Sequence, residues 1–233
     1  MEQVTLTFDN GPVPGITDRV LDILDRTGLK TTFFVIGRNL LDPDSAALMR
    51  EAQSAGHWIG NHTLTHSVAL GDRPEANYAR EEIEEAQDLI GSCSRADKLF
   101  RPYGRDGLIG PHLLSEAALT RLLDGKYTCV LWNSVPGDWR DPEGWVERCL
   151  AEVQDQAWSV VVLHDIAHAS LDRLPELLHR LQDRGAVFRQ DFPDDVIVTR
   201  GGQVVNLSPD YVADWSPREA GHPASRTPTL RRP

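Results

Sequence analysis

"VTLTFDNGP", residues 4–12, reads as a buried strand that runs straight into an acid, an amide, a glycine and a proline. Asp9 before Asn10-Gly-Pro has a bland reading as a turn acid. It has a chemical reading if other segments bring metal-competent or ionisable groups to the same strand end. An amide at position 10 is the awkward part, because a second carboxylate would make a better cation site there. The rest of the chain decides between the two readings.

Short apolar runs alternate with helical patterns along the sequence. The strand candidates are residues 4–8, 31–35, 58–61, 99–101, 127–131, 159–163 and 186–188. Helical spacing of apolar residues marks 17–27 (Val20, Leu21, Leu24) and 171–184 (Leu171, Leu174, Leu177, Leu178, Leu181). Residues 80–90 carry five acids around the apolar Ile83, Ala86, Leu89 and Ile90, and predict a surface helix. Gly28, Gly56 and Gly185 each stand where a helix should stop. This alternation predicts parallel strands joined by right-handed crossovers, an α/β architecture with active groups at the carboxyl ends of the strands. About seven units suit a barrel better than a two-layer sheet. Residues 1–206 are read as one domain. Residues 207–233, with "SPREAGHPASRTPTLRRP" at 216–233, are rich in Pro, Ser and Arg and predict a loosely ordered tail.

The composition narrows the function classes. With 233 residues, 40 % hydrophobic and 25 % charged, the chain can bury a large core. A net charge of −11 argues against a nucleic-acid or anionic-membrane surface, since both need a basic patch. No apolar run reaches the ~20 residues that span a bilayer. Cys93, Cys129 and Cys149 are far apart and odd in number, which predicts buried free thiols in a reducing compartment. With no basic leader before the first strand, the expected location is cytoplasmic.

The groups that follow each apolar run can then be compared. The first run ends in Asp9-Asn10 and the third in Asn61-His62, continuing as "NHTLTH" to His66. The fourth gives "FRPYG", Arg101 to Gly104. After the fifth comes "NSVPGDW", ending at Asp138-Trp139, and the sixth ends in Leu163-His164-Asp165. Taken singly, each has a structural explanation: a turn acid, two surface histidines, an ion-pair arginine, a capping acid, a rim histidine. On one helical turn the His-x-x-x-His spacing would set both rings on the same side, as two ligands of one metal require. Five of seven strands delivering such groups to one rim is more than solvation demands.

"LTFDNGP", "GHWIGNHTLTH", "FRPYG", "GDW" and "VVLHD" follow one another in the order of the polysaccharide deacetylases, and the chain resembles that family, the NodB-homology domain of carbohydrate esterase family four, from about residue 3 to 190. The resemblance implies a distorted, incomplete (β/α)7-type barrel and a hydrolase that removes N-acetyl groups from an amino-sugar glycan or oligosaccharide. It implies a divalent metal, zinc or else cobalt or nickel, held by Asn10, His62 and His66. Asp9 would be the general base and His164 the general acid, with Arg101 the cation that holds Asp9 ionised and Asp138 the acid that orients His164. The backbone N–H of Tyr103 would hold the oxyanion, and Trp139 and Leu163 would wall the acyl group.

Two departures from the family pattern stand out. "FRPYG" is one residue shorter than the common form with two prolines. At position 10 the family usually has aspartate, so the cation site here is one negative charge short. That leaves three states open: a weaker working metal site, a metal-free site, or an inactive one. The alternatives to glycan deacetylation are accordingly a cytosolic cyclic-amide or imide hydrolase acting on a small amide without metal, and a non-catalytic sugar-binding module.

Overall fold

The structure, a computed structural model, describes residues 1–213. Its central strand is β1 (Gln3–Asp9), buried from Val4 to Asp9. Alternation sends Val4, Leu6 and Phe8 outward into an apolar layer beneath the helices. Thr5, Thr7 and Asp9, all buried, take the opposite face, inside the curled sheet.

Along the chain β1 is followed by α1 (Thr17–Thr27), β2 (Thr32–Val35), α2 (Pro43–Ser54) and β3 (Trp58–Asn61). Next come α3 (Ala76–Arg80), a π-helical turn (Glu81–Glu85) and α4 (Ala86–Ile90), continuous with one another, then β4 (Leu99–Phe100) and β5 (Leu114–Ser115). The remaining elements are α5 (Glu116–Asp124), β6 (Thr128–Val130), α6 (Trp145–Gln154), β7 (Trp158–His164), α7 (Leu174–Asp183), β8 (Val187–Arg189), β9 (Ile197–Arg200), β10 (Gln203–Val204) and β11 (Val212–Ala213). The main sheet runs β10-β9-β6-β4-β3-β2-β1-β7, with β8 beside the start of β1. Pairing is parallel from β6 round to β7.

The helices form where the apolar spacing placed them. Val20, Leu21, Ile23 and Leu24 are the buried stripe of α1, which ends at Gly28 in the left-handed conformation, φ 68°. Asp42 caps α2 by accepting from the Ser45 N–H, and Pro43 occupies the first turn. Leu174, Leu177, Leu178 and Leu181 seat α7 on the outer face of the sheet. All seven expected strands are present, with ends shifted by a residue or two, and the curled, barrel-like α/β sheet agrees with the predicted fold class.

Three features differ from expectation. β9 joins β6 antiparallel and β10 returns on β9, at an edge where no helix intervenes. The acidic helix is not wholly a surface element, because Glu82 is buried along with Ile83. The folded body also extends beyond residue 206. β11 pairs parallel with β5, Val212 is buried, and Leu207 and Tyr211 pack on the same apolar cluster. A two-residue strand carries no periodicity, so this segment reads as tail from sequence. The rest of the expected tail, 214–233, lies outside the described residues. No helix among the described residues is long and apolar enough to cross a membrane. Cys93, Cys129 and Cys149 are free and buried.

The ring of strands is completed by side chains rather than by a full ladder. Beyond β6, Ser134 makes a single parallel bridge to Val161 of β7. Asn133 reinforces it: its Oδ1 accepts from the Val160 N–H at 2.7 Å and its Nδ2 donates to the Trp158 carbonyl at 3.0 Å. Asn133→Ala removes both bonds and leaves two backbone groups of β7 unpaired there. It should lower the unfolding free energy by about 1–3 kcal/mol in urea titration, with the fold retained by circular dichroism.

Candidate active site

Asp9 and His164 are partners in the β1–β7 register, so adjacent parallel strands deliver them side by side. Each is held by an opposite charge. Arg101, fully buried just past β4, donates from Nη1 to Asp9 Oδ1 at 2.9 Å and to Thr7 Oγ1 at 2.7 Å. Its Nε and Nη2 donate to the carbonyls of Val130, the last residue of β6, and Leu131, the residue after it. On the other side, Asp138 Oδ2 accepts from the His164 N–H at 2.8 Å and Oδ1 faces Nδ1 at 2.9 Å. Burial depresses the His164 pKa, but the hydrogen bond and charge of Asp138, helped by Asp9 and Asp165, outweigh it and the net shift is upward.

His62 and His66 come together by a route other than the helical turn that their spacing suggests. Residues 62–66 are loop, with Thr63 and His66 in the left-handed region at φ 66° and 53°. Thr63 N–H donates to Asn61 Oδ1, and Thr63 Oγ1 accepts from the His66 N–H, which folds the loop back on itself. The rings end 4.7 Å apart between centroids, and Tyr103 covers His66 at 4.1 Å. His62 Nδ1 lies 2.8 Å from the Arg101 carbonyl, which can only accept, so this nitrogen carries the proton and Nε2 keeps its lone pair. Burial lowers both imidazoles from 6.5 to about 3, so they are neutral donors. His62 Nε2 faces Asp9 Oδ2 at 3.6 Å, a juxtaposition of two lone pairs rather than a hydrogen bond.

Asn10 sits at the turn after β1 with φ 79°, a conformation asparagine tolerates. Its Oδ1 is buried and has no hydrogen-bond partner. A buried orphan acceptor next to two neutral imidazoles and a carboxylate is a donor set that suits a divalent cation. Among the described residues no group of three or more His, Cys, Asp or Glu is arranged to hold a metal. A cation at this rim would therefore depend on the Asn10 amide oxygen as well as the two imidazoles.

These groups line one cleft of about 190 Å³. Its walls include Asp9, Asn10, His62, His66 and His164, with Tyr103 and Trp139 above them. Arg101 and Asp138 lie behind the wall and act through their partners. Leu163 does not reach the cleft. Period-two alternation turns it outward to the helix layer with Phe8 and Trp145, and Val162 lines the cavity instead. Trp139 meets the His164 ring edge-on at 4.6 Å.

Two contributors were not singled out from sequence. Trp132 forms part of the floor, and its Nε1 holds the Gly107 carbonyl of the loop above. A Cβ on Gly104 would lie 2.1 Å from the Trp132 ring, so only glycine lets that loop settle there. Asp165 is buried behind His164, accepting from the Gly11 N–H and the Thr17 hydroxyl, and so ties the Asn10 turn to β7. Burial pushes its carboxyl up to about 7, against those two hydrogen bonds. The signal available in sequence was the acid next to His164 in "LHD", which has no separate motif of its own.

Residues 1–108 match the family described as polysaccharide deacetylase. Over 205 residues, 80 % of this chain and 88 % of the relative, it is 31 % identical to a chitooligosaccharide deacetylase of Sinorhizobium fredii. It is 30 % identical to a peptidoglycan-N-acetylmuramic acid deacetylase of Bacillus subtilis, over 78 % of this chain and 36 % of that longer protein. The solved structure of a family 4 acetyl xylan esterase from Clostridium thermocellum, in complex with a cobalt ion, superposes with a TM-score of 0.64 at 28 % identity, covering 81 % of this chain and 88 % of that one.

The His164–Asp138 pair makes stability depend on pH. Because His164 binds its proton more tightly folded than unfolded, the pair's contribution is complete below about pH 6.5 and disappears as pH rises through the raised folded value. Asp165, also raised, adds a loss in the same direction that is common to parent and variant. Asp138→Asn should therefore be less stable than the parent by about 2 kcal/mol at pH 6, with the gap closing at alkaline pH in denaturant titrations.

Proposed function

The chain belongs to the polysaccharide deacetylase family, and on that premise we propose that it hydrolyses the N-acetyl amide of an amino-sugar glycan or oligosaccharide. The observation that carries this reading is the pairing of Asp9 with His164 across adjacent strands, each set by an opposite charge, at the mouth of one cleft. An N-acetyl amide is a poor electrophile and its amine a poor leaving group, so a proton acceptor and a proton donor are needed on either side of the carbonyl.

In this mechanism Asp9 Oδ2 takes the proton of the attacking water, while Arg101 keeps the other oxygen occupied and the carboxylate in place. His164, charged and oriented by Asp138, presents its free ring nitrogen to the cleft and protonates the departing amine. The Tyr103 backbone N–H is assigned to the developing oxyanion, and Trp139 and Val162 to the acyl methyl. Asn10, His62 and His66 would hold a divalent cation, which we assign as zinc with cobalt or nickel as substitutes. When bound, such an ion polarises the acyl carbonyl and acidifies the water. The amide at position 10 offers oxygen without charge, so affinity for the ion is lower than a carboxylate would give.

Acetate release from N-acetylated chitooligosaccharides tests the proposal, with an acetylated xylo-oligosaccharide as the ester control. Asp9→Ala and His164→Ala should each cost about 10²–10⁴ in kcat. Chelation should remove activity and added Zn²⁺ should restore it, and Asn10→Asp should tighten Zn²⁺ binding in calorimetry. Full turnover after chelation, with hydantoins or imides as the better substrates, would replace this reading with a metal-free cyclic-amide hydrolase. Saturable glycan binding without turnover in either the parent or Asn10→Asp would make the chain a sugar-binding module.

A further inference from the structure

The loop that carries His62 and His66 is strained at two left-handed residues and contains no regular structure of its own. Its shape therefore depends on what its polar groups are tied to. Gly37 and Arg38 donate to the Thr63 and Leu64 carbonyls, and Asn61 Nδ2 donates to the Ile83 carbonyl. Between the two histidines, Thr65 N–H donates to Glu82 Oε2 at 2.9 Å and Thr65 Oγ1 donates to Glu82 Oε1 at 2.6 Å. Both oxygens of one carboxylate thus hold the residue immediately before His66.

Glu82 is unlike the acids around it. Glu81 and Glu85 pair with Arg80 and Glu84 with Arg121, at partly exposed positions. Glu82 is only 3 % exposed and faces inward from the π-helical turn. Burying a carboxylate is costly unless its oxygens are satisfied, and here the donors that satisfy it belong to the histidine loop. The π turn supplies the placement. It presents Glu82 to Thr65 and the next residue's carbonyl to Asn61, so one wide turn grips the loop at both ends.

We propose that Glu82 is a positioning residue for the imidazole pair, holding Thr65 so that the His66 ring stands against His62 and Tyr103 in cation-binding register. The inference rests on the reading of His62 and His66 as the imidazole donors of the cation site. Supporting groups of this kind typically change metal affinity about 10–100-fold when removed.

Co²⁺ titration of the purified full chain, followed by calorimetry and by visible absorption, tests it alongside amide hydrogen exchange without metal. Glu82→Ala should bind Co²⁺ about 10–100-fold more weakly, with faster exchange confined to residues 62–67. Glu82→Gln should recover affinity to within a few-fold, because its oxygen can take the Thr65 N–H while its NH₂ donates to the hydroxyl. Glu84→Ala, which loses only a surface ion pair, should bind as the parent does. If Glu82→Ala fails to fold, Thr65→Val, which removes the hydroxyl bond alone, should still weaken Co²⁺ binding. Unchanged affinity in Glu82→Ala, or in Thr65→Val when that variant has to decide, overturns the inference and leaves the deacetylase reading intact. Should the parent itself bind no Co²⁺, the cation reading falls, and the exchange data decide: faster exchange in Glu82→Ala supports Glu82 as the holder of the loop, and unchanged exchange overturns it.

Discussion

A guanidinium with no exposure to solvent holds the interior of this protein together. Arg101 reaches from the end of β4 to Thr7 and Asp9 on β1 and to the carbonyls at the end of β6, while its guanidinium lies over the Phe34 ring at 4.1 Å. A buried cation without such partners would be intolerable, so β1, β4 and β6 have to meet at this depth. The same contact that closes the inside of the barrel also fixes the carboxylate at its mouth. Structural and chemical demands are satisfied by one side chain.

Charge is distributed around the cleft in balanced pairs. Arg101 offsets Asp9, and Asp138 faces a histidine whose proton affinity it raises. Position 10 interrupts that pattern, since its amide oxygen is buried, unpartnered and uncharged. Two neutral imidazoles and an amide leave any cation there neutralised mainly by Asp9, whose Oδ2 already stands 3.6 Å from His62 Nε2. In the proposed mechanism the carboxylate assigned to accept the proton would also be the nearest countercharge, which would couple cation binding to its basicity.

Most of this arrangement was legible in the sequence because parallel strands advertise themselves twice, by apolar runs and by what terminates them. Asp9, His62, Arg101, Asp138 and His164 all follow from that rule. The rest was hidden for identifiable reasons. Leu163 and Val162 are both apolar, and only the parity of the strand decides which faces the cleft. The His-x-x-x-His spacing imitates a helical turn, whereas left-handed backbone at Thr63 and His66 produces the approach. Trp132, Asp165 and Glu82 act through tertiary contacts with segments 25, 154 and 17 residues away, and no local pattern encodes such partners. β9 and β11 were missed because short strands at a sheet edge lack a period to detect.

The Asn133 bridge has a consequence for how the molecule breathes. A seam stitched by one amide side chain and a lone backbone bridge is mechanically softer than the continuous ladders elsewhere in the ring. Transient unzipping there would swing the segment that follows, and Asp138 with it, away from β7. Each such excursion would strip His164 of its carboxylate and drop its proton affinity, so that, in the proposed mechanism, loss of the proton donor would accompany loosening of the barrel wall.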